Sequence, residues 1–181
     1  DFWPDSLKGI HALQARDPAL YGQIKLAAFP ASEGQPTVPP GSADVVVTFR
    51  NVHNWQMGYK RGGQDYGAEA FRQMYAMLKP GGVLGVEDHR LPESHDVARE
   101  KTSGYVKVST VRRLAEQAGF VFEGASEINA NPRDTTDHEK GVWTLPPRLA
   151  NSDVDREKYL AIGESDRMTL KFRKPLASAA R

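Results

Sequence analysis

The stretch from Ser42 to Arg90 constrains the fold more than any other part of the chain. Val45, Val46 and Val47 form an unbroken β-branched run, the pattern of a strand covered on both faces. Phe71, Met74, Tyr75 and Leu78 follow at i, i+3, i+4, i+7 spacing, which is one face of a helix. Lys79-Pro80-Gly81-Gly82 then stops that helix, because proline cannot continue it and glycine accepts a left-handed turn. Val83, Leu84 and Val86 begin a second apolar strand that ends in Glu87, Asp88, His89 and Arg90. Such a strand, helix, strand unit predicts Ala43–Thr48 and Val83–Val86 as parallel neighbours joined by a right-handed crossover. Ligands of open parallel sheets bind beyond the carboxyl ends of the strands, so function is expected at Phe49 to Trp55 and at Glu87 to Arg90.

The rest of the chain extends this α/β reading. Leu7, Ile10 and Leu13 predict a short helix over Leu7–Ala15, and Ile24–Phe29 a short strand. Gly58 to Gly67 mixes glycine, charge and tyrosine, the composition of either a lid or an ordinary connection. Ser109 is the expected N-cap of a helix with Val111, Leu114, Ala115 and Ala118 on one face and Gly119 closing it. Phe120 to Phe122 opens a further strand, and the alternation of Met168, Leu170 and Phe172 with Thr169, Lys171 and Arg173 marks another with one wet face. At 181 residues and 39% hydrophobic content the chain suits a single domain over residues 1–181. A net charge of +1 gives no reason to expect a nucleic-acid partner, and no apolar run approaches the ~20 residues that span a bilayer. Zero cysteine excludes disulfides, thiolate metal sites and cysteine nucleophiles.

Among the polar residues at the two strand ends, His53, Glu87 and His89 are the candidate proton acceptors. Adjacent strand ends would bring the two imidazoles into one cleft, and histidine titrates where general-base work is done. Each also has a structural reading, His53 as a strand cap and His89 as the surface partner of Glu87 or Asp88. Glu87 and Asp88, being adjacent on an extended segment, are expected to point to opposite sides. Asn51 is either a ligand contact or a turn residue bonding its own backbone. His53, Asp88, His89, His95 and His138 form only a loose oxygen and nitrogen set without the spacing of a zinc motif, so no metal is expected. Trp55 and Trp143 are either a pocket wall or core. Asn129, Asn131, Arg133 and Asp134 form a polar turn that lines a pocket or shapes a loop.

Beyond single residues, Ala43–Val46, the LKPGG of Leu78–Gly82 and the EDHR of Glu87–Arg90 resemble the second half of a class I S-adenosylmethionine-dependent methyltransferase. The narrower resemblance is to a bacterial group of methyltransferases of undefined substrate. It rests on TFRNVHNW (Thr48–Trp55), SGYV (Ser103–Val106), SEINANP (Ser126–Pro132), GVWTLPP (Gly141–Pro147) and YLAIGESDRM (Tyr159–Met168) in that order. It covers Leu7 to Pro175. The resemblance implies a Rossmann-like methyltransferase fold, α/β, with a mostly parallel sheet and an antiparallel last strand. S-adenosylmethionine is the implied cofactor, touched by Phe29, Phe49, Arg50 and Asn51. A small-molecule acceptor is implied, contacted by Asn54, Trp55, Arg90 and Tyr105, with His53, Glu87 or His89 as the base.

The glycine-rich turn and ribose-binding acid that open such folds are not visible here, since neither Gly62-Gly63 nor Gly81-Gly82 follows a predicted strand and opens a helix. The resemblance therefore implies an amino-terminal unit of at least roughly 30 residues outside this sequence. The Ala43–Thr48 strand is then expected at an open edge, to be covered by such a unit or by a second copy in a homodimer. Members of the group look exported, which implies the periplasm, with the cytoplasm as the alternative. A ligand-binding protein that keeps the fold without the chemistry is the other functional reading.

Overall fold

The computed structural model describes residues 6–35 and 37–176, and contacts divide the chain into two compact units, Asp1–Val38 and Pro39–Arg181. The first unit holds α1 (Ser6–Arg16) and α2 (Pro18–Tyr21). Asp17 begins α2 by accepting the Leu20 amide at 3.0 Å, and Gln14 Nε2 donates to the Ile24 carbonyl at 2.8 Å. The expected strand over Ile24–Phe29 does not form. An extended segment becomes a strand only with a hydrogen-bonding neighbour. None pairs with it among the described residues.

The second unit carries the sheet. It runs β1 (Ala43–Phe49), α3 (Val52–Gln56), α4 (Gly67–Met77), β2 (Leu78–Leu91), β3 (Val106–Lys107), α5 (Val108–Gln117), β4 (Val121–Ser126), α6 (Arg156–Ile162) and β5 (Arg167–Arg173). The strand order is β1-β2-β5-β4, with the two-residue β3 pairing parallel to the end of β2. β1 and β2 are parallel neighbours, as predicted, and β5 runs antiparallel to both β2 and β4. The sheet is therefore mixed, and its topology is that of the Rossmann-like methyltransferase fold.

One face of the sheet is dry. Leu84 and Val86 of β2, Leu170 and Phe172 of β5, Phe71 and Met74 of α4 and Val111 and Leu114 of α5 form one buried cluster. The register Val46↔Leu84 and Thr48↔Val86 puts the inward side of β1 on that cluster. The opposite side carries Val45 and Val47, 59% and 56% exposed, so β1 is not covered on both faces as its valine run predicted. The β-branched run reflects strand preference here, with only every second residue buried.

Several local expectations are corrected. The helix stops ahead of Lys79–Gly82 as expected, but Leu78, expected on its apolar face, is the first residue of β2, which follows α4 directly. Gly81, at φ +81, is held there by its amide bond to the Lys174 carbonyl. Ser109 is not the N-cap of α5 but lies inside its first turn, where Glu93 accepts both its amide and its hydroxyl at 2.9 and 2.6 Å. Glu87 to Arg90 lie within β2 and pair with β5 and β3 rather than following the strand end. The 58–67 segment is an ordinary packed connection. Tyr66 donates to the Tyr59 carbonyl, Arg61 stacks over the Tyr66 ring, and a Cβ on Gly58 would sit 2.1 Å from the Gly63 carbonyl carbon.

The asymmetry of the sheet gives a direct test. Leu84→Ala on the dry face should cost about 2–5 kcal/mol in denaturant unfolding. Val47→Thr on the wet face should change stability by no more than about 0.5 kcal/mol. Equal losses would mean that both faces are covered.

Candidate functional site

The chemistry-bearing residues gather where the chain leaves β1 and crosses over the carboxyl end of β2. Arg50 turns the chain with φ +54, and its amide donates to the Glu87 carbonyl at 2.8 Å. Asn51 Nδ2 donates to the Phe49 carbonyl at 3.0 Å and to Thr48 Oγ1 at 3.3 Å, so its amide group shapes the turn. Its carbonyl Oδ1 has no hydrogen-bond partner among the described residues. The five-residue α3 then starts at Val52, which places His53 directly over Asp88.

Asp88 organises this corner. Its carboxylate is fully buried and accepts three N–H groups: His53 Nδ1 at 2.7 Å, the His53 amide at 3.1 Å and the His89 amide at 2.8 Å. Burial alone would raise its pKa, but the charge and hydrogen bond of His53, with help from His89, hold it below the usual carboxylate range. A carboxylate can only accept, so Nδ1 of His53 carries the proton of this bond, which fixes the ring with Nε2 turned away from Asp88. This is the arrangement of an oriented general base, with Asp88 fixing the tautomer and the ring and stabilising the imidazolium that proton uptake would form.

His89 lies beside this pair with ring centroids 5.0 Å apart, so the two histidines are neighbours, but the shared cleft expected for them does not form: His53 is buried and neither ring lines the recess beside Phe49 and Arg50. Both are withdrawn from solvent, and His53 is only 3% exposed. Nδ1 of His89 contacts Ser165 Oγ at 2.6 Å. Burial, with smaller contributions from His53, Arg167 and Arg50, pushes the His89 pKa down to about 3. His89 is therefore neutral at ordinary pH and too weak a base for proton abstraction near neutrality. Glu87 points to the other side of β2 from Asp88, as expected. Its Oε1 lies 2.6 Å from Arg167 Nε, and burial raises its pKa against the pull of Arg167.

His53, Asp88 and His89 offer ligand atoms within 4.8 Å of one another, although His95 and His138 stand apart from them. His95 meets Thr136, and His138 donates to Asp134. A cation among the three would have to compete with the three N–H donors that already occupy Asp88. The set therefore fits a hydrogen-bonded dyad better than a metal centre.

The acceptor contacts implied for Trp55, Tyr105 and Arg90 are corrected by their surroundings. Trp55 is 5% exposed and packs edge-on against Phe71, which makes it core. Tyr105 is fully buried, and its hydroxyl donates to Asp134 at 2.9 Å. Arg90 is clamped by Asp166 through two 2.8 Å bonds and paired with Glu127. Asn54 is half-buried, with its amide on the Arg50 carbonyl at 3.3 Å. Phe29 belongs to the first unit, 41% exposed beside cis Pro30. Phe49, at 60% exposure, lines a recess of about 320 Å³ with Arg50, Glu87, Asn129, Glu164 and Arg167. Ser165 and Asp166 are the residues the sequence reading missed. Their signal was the antiparallel pairing of β5, which brings the segment before Arg167 alongside Glu87–Arg90.

No family model matches this sequence. Solved structures with the same fold exist at low identity. A Galdieria sulphuraria protein assigned as a sarcosine dimethylglycine methyltransferase superposes with a TM-score of 0.62 at 17% identity, over 97% of this chain and 67% of its own. The cyclase SpnF gives 0.58 at 18%, over 93% and 62%. A SAM-dependent methyltransferase of Aquifex aeolicus gives 0.51 at 10%, over 96% and 66%. This chain thus spans about two thirds of the length of each. The likeness establishes the Rossmann-like methyltransferase fold, and the activities named are those of the other proteins.

The neutral state of His89 makes stability depend on pH. The unfolded chain takes up the imidazole proton near the ordinary value of 6.5, the folded chain only near 3. His89 therefore contributes fully above 6.5 and progressively less as pH falls from 6.5 towards 3. His89→Asn, which keeps a group for Ser165, should flatten the decline between neutrality and the onset of carboxylate protonation, by up to about 1.4 kcal/mol per pH unit. Parallel wild-type and variant curves from urea melts across this window would refute the assignment.

Proposed function

We propose that this chain takes part in S-adenosylmethionine-dependent methyl transfer to a small-molecule acceptor, with His53 as the general base. The observation that carries the reading is the buried His53–Asp88 pair at 2.7 Å, set at the carboxyl ends of two adjacent parallel strands in a methyltransferase fold.

The residues at the end of β1 suit the cofactor. Phe49 offers an exposed aromatic face, which attracts a cationic sulfonium, and the free Oδ1 of Asn51 can accept from the ammonium of a methionyl group. When bound, S-adenosylmethionine supplies an electrophilic methyl group. The chain's own contribution is to hold an acceptor oxygen or nitrogen in line and take its proton. With the methyl donor held at the end of β1, His53 would take the acceptor's proton through Nε2 and Asp88 would stabilise the resulting imidazolium. Positioning and proton transfer are the two terms that the protein controls in such a displacement. His89 pairs with Arg167 in the β2–β5 register and its ring lies 5.0 Å from that of His53, so one strand residue separates the dyad from a residue that lines the recess.

Calorimetry of the full-length protein, with any segment that precedes this sequence included, should show saturable binding of S-adenosylhomocysteine, and absence of heat at high ligand concentration would turn the reading towards a fold kept without the chemistry. Transfer of a labelled methyl group from S-adenosylmethionine to a small-molecule extract should fall about 10²–10⁴-fold in His53→Ala with the unfolding midpoint little changed. A loss of transfer that merely tracks a loss of folded protein would remove His53 from the base role.

A further inference from the structure

The recess at the ends of β1, β2 and β5 contains an unequal distribution of charge partners. Arg167 lies against two carboxylates: its Nε is 2.6 Å from Glu87 Oε1 without the alignment of a hydrogen bond, and its Nη1 bonds Glu164. The Arg50 guanidinium, across the same recess, makes no hydrogen bond or ion pair among the described residues, although its charge acts on both Glu87 and Glu164. The formal charges of the lining cancel, two arginines against two glutamates, so the recess is not a general trap for anions. Its selectivity comes from position, in that Arg167 lies against both acids while the guanidinium donors of Arg50 make no hydrogen bond among the described residues.

The backbone adds to this. Arg50 adopts a left-handed φ of +54 that costs a side chain with a Cβ about 1–2 kcal/mol and that glycine or asparagine accepts more readily. Five other non-glycine residues share such a φ, but none of them lines the recess. The turn directs an arginine, rather than a residue suited to the turn, to the carboxyl end of the strand. A backbone outlier of this kind at a strand end is grounds for a functional hypothesis. Phe49 supplies an apolar wall, 60% exposed, beside the unpaired guanidinium.

We propose that the recess binds the methyl acceptor and that the acceptor is a small carboxylic acid, its carboxylate on Arg50 and its apolar body against Phe49. This rests on the methyl-transfer reading above. A planar guanidinium and a carboxylate form paired, charge-assisted hydrogen bonds, which fix orientation as well as adding affinity. A volume of about 320 Å³ suits a metabolite-sized molecule. The one competing source of the same chemistry is the methionyl carboxylate of the cofactor.

The test is calorimetry of the full chain with benzoate, its neutral counterpart benzamide, and S-adenosylhomocysteine, on wild type, Arg50→Asn and Arg50→Lys. Asparagine accepts the left-handed turn, so Arg50→Asn should unfold at or above the wild-type midpoint. The expected result is benzoate binding that exceeds benzamide binding, falls about tenfold or more in Arg50→Asn, and is partly kept in Arg50→Lys, with S-adenosylhomocysteine affinity unchanged throughout. Equal binding of benzoate and benzamide, or unchanged benzoate affinity in Arg50→Asn, would overturn the proposal. A loss of S-adenosylhomocysteine affinity in Arg50→Asn would also overturn it, by assigning the guanidinium to the cofactor. Absence of S-adenosylhomocysteine binding in every variant, with benzoate behaving as expected, would sink the methyl-transfer reading while supporting the carboxylate site.

Discussion

The Asp88 carboxylate is the interaction on which the upper end of the second unit depends. Its three N–H donors come from two places, the start of α3 and the next residue of β2, so one buried group ties the exit of β1 to the end of its neighbour. A buried carboxylate is tolerated only when it is hydrogen-bonded, and here its three donors are the groups whose placement matters for chemistry. Removing the carboxylate would release the helix start, the His53 ring and the His89 amide together. The local fold and the candidate dyad are thus one structure.

A second layer braces this corner. The Gly163–Asp166 segment leads into β5 and crosses the end of β2. Ser165 meets His89, Asp166 clamps Arg90, and the Asp166 amide donates to Asp134 at 2.8 Å. Asp134 in turn accepts from Tyr105 and His138, which makes a second buried carboxylate with its donors in place. Tyr105, which the family resemblance implied as an acceptor contact, belongs to this bracing network. Its ring lies 6.2 Å from that of His89, so the two networks meet at the neutral histidine.

The sequence made long apolar periodicity legible and left short or cooperative features hidden. The strand, helix, strand unit, the α5 face and the alternation of β5 each contain three or more apolar residues in phase, enough to override local accidents. The antiparallel direction of β5 came from the family resemblance rather than from its residues. α3 was hidden because five residues, VHNWQ, show no period, and its start is set by Asp88, 35 residues away from His53. Ser109 looked like a cap because its hydroxyl suits one, but Glu93 reached its amide from another loop. At the site, the strand ends identified His53, Glu87 and His89 as neighbours. Which of them could act as a base depended on burial and partners. Only the parallel register, with Phe49 opposite Glu87, put His53 over Asp88.

The place of β5 in the sheet bears on how the second unit is made. It is the last strand in sequence, yet it lies between β2 and β4, and Met168, Leu170 and Phe172 are part of the main core. A nascent chain emerging from the ribosome can pair β1 with β2 as soon as α4 has formed, but β4 has no neighbour until residues 167–173 are free. Until then the apolar sides of β2 and β4 remain unsealed, and the bracing of His89 and Arg90 cannot form. The sheet is therefore joined only when β5 pairs along both of its edges, and its pairing with β2 closes a loop of roughly eighty residues, which raises the contact order of this unit and slows its folding relative to an end-on addition of strands.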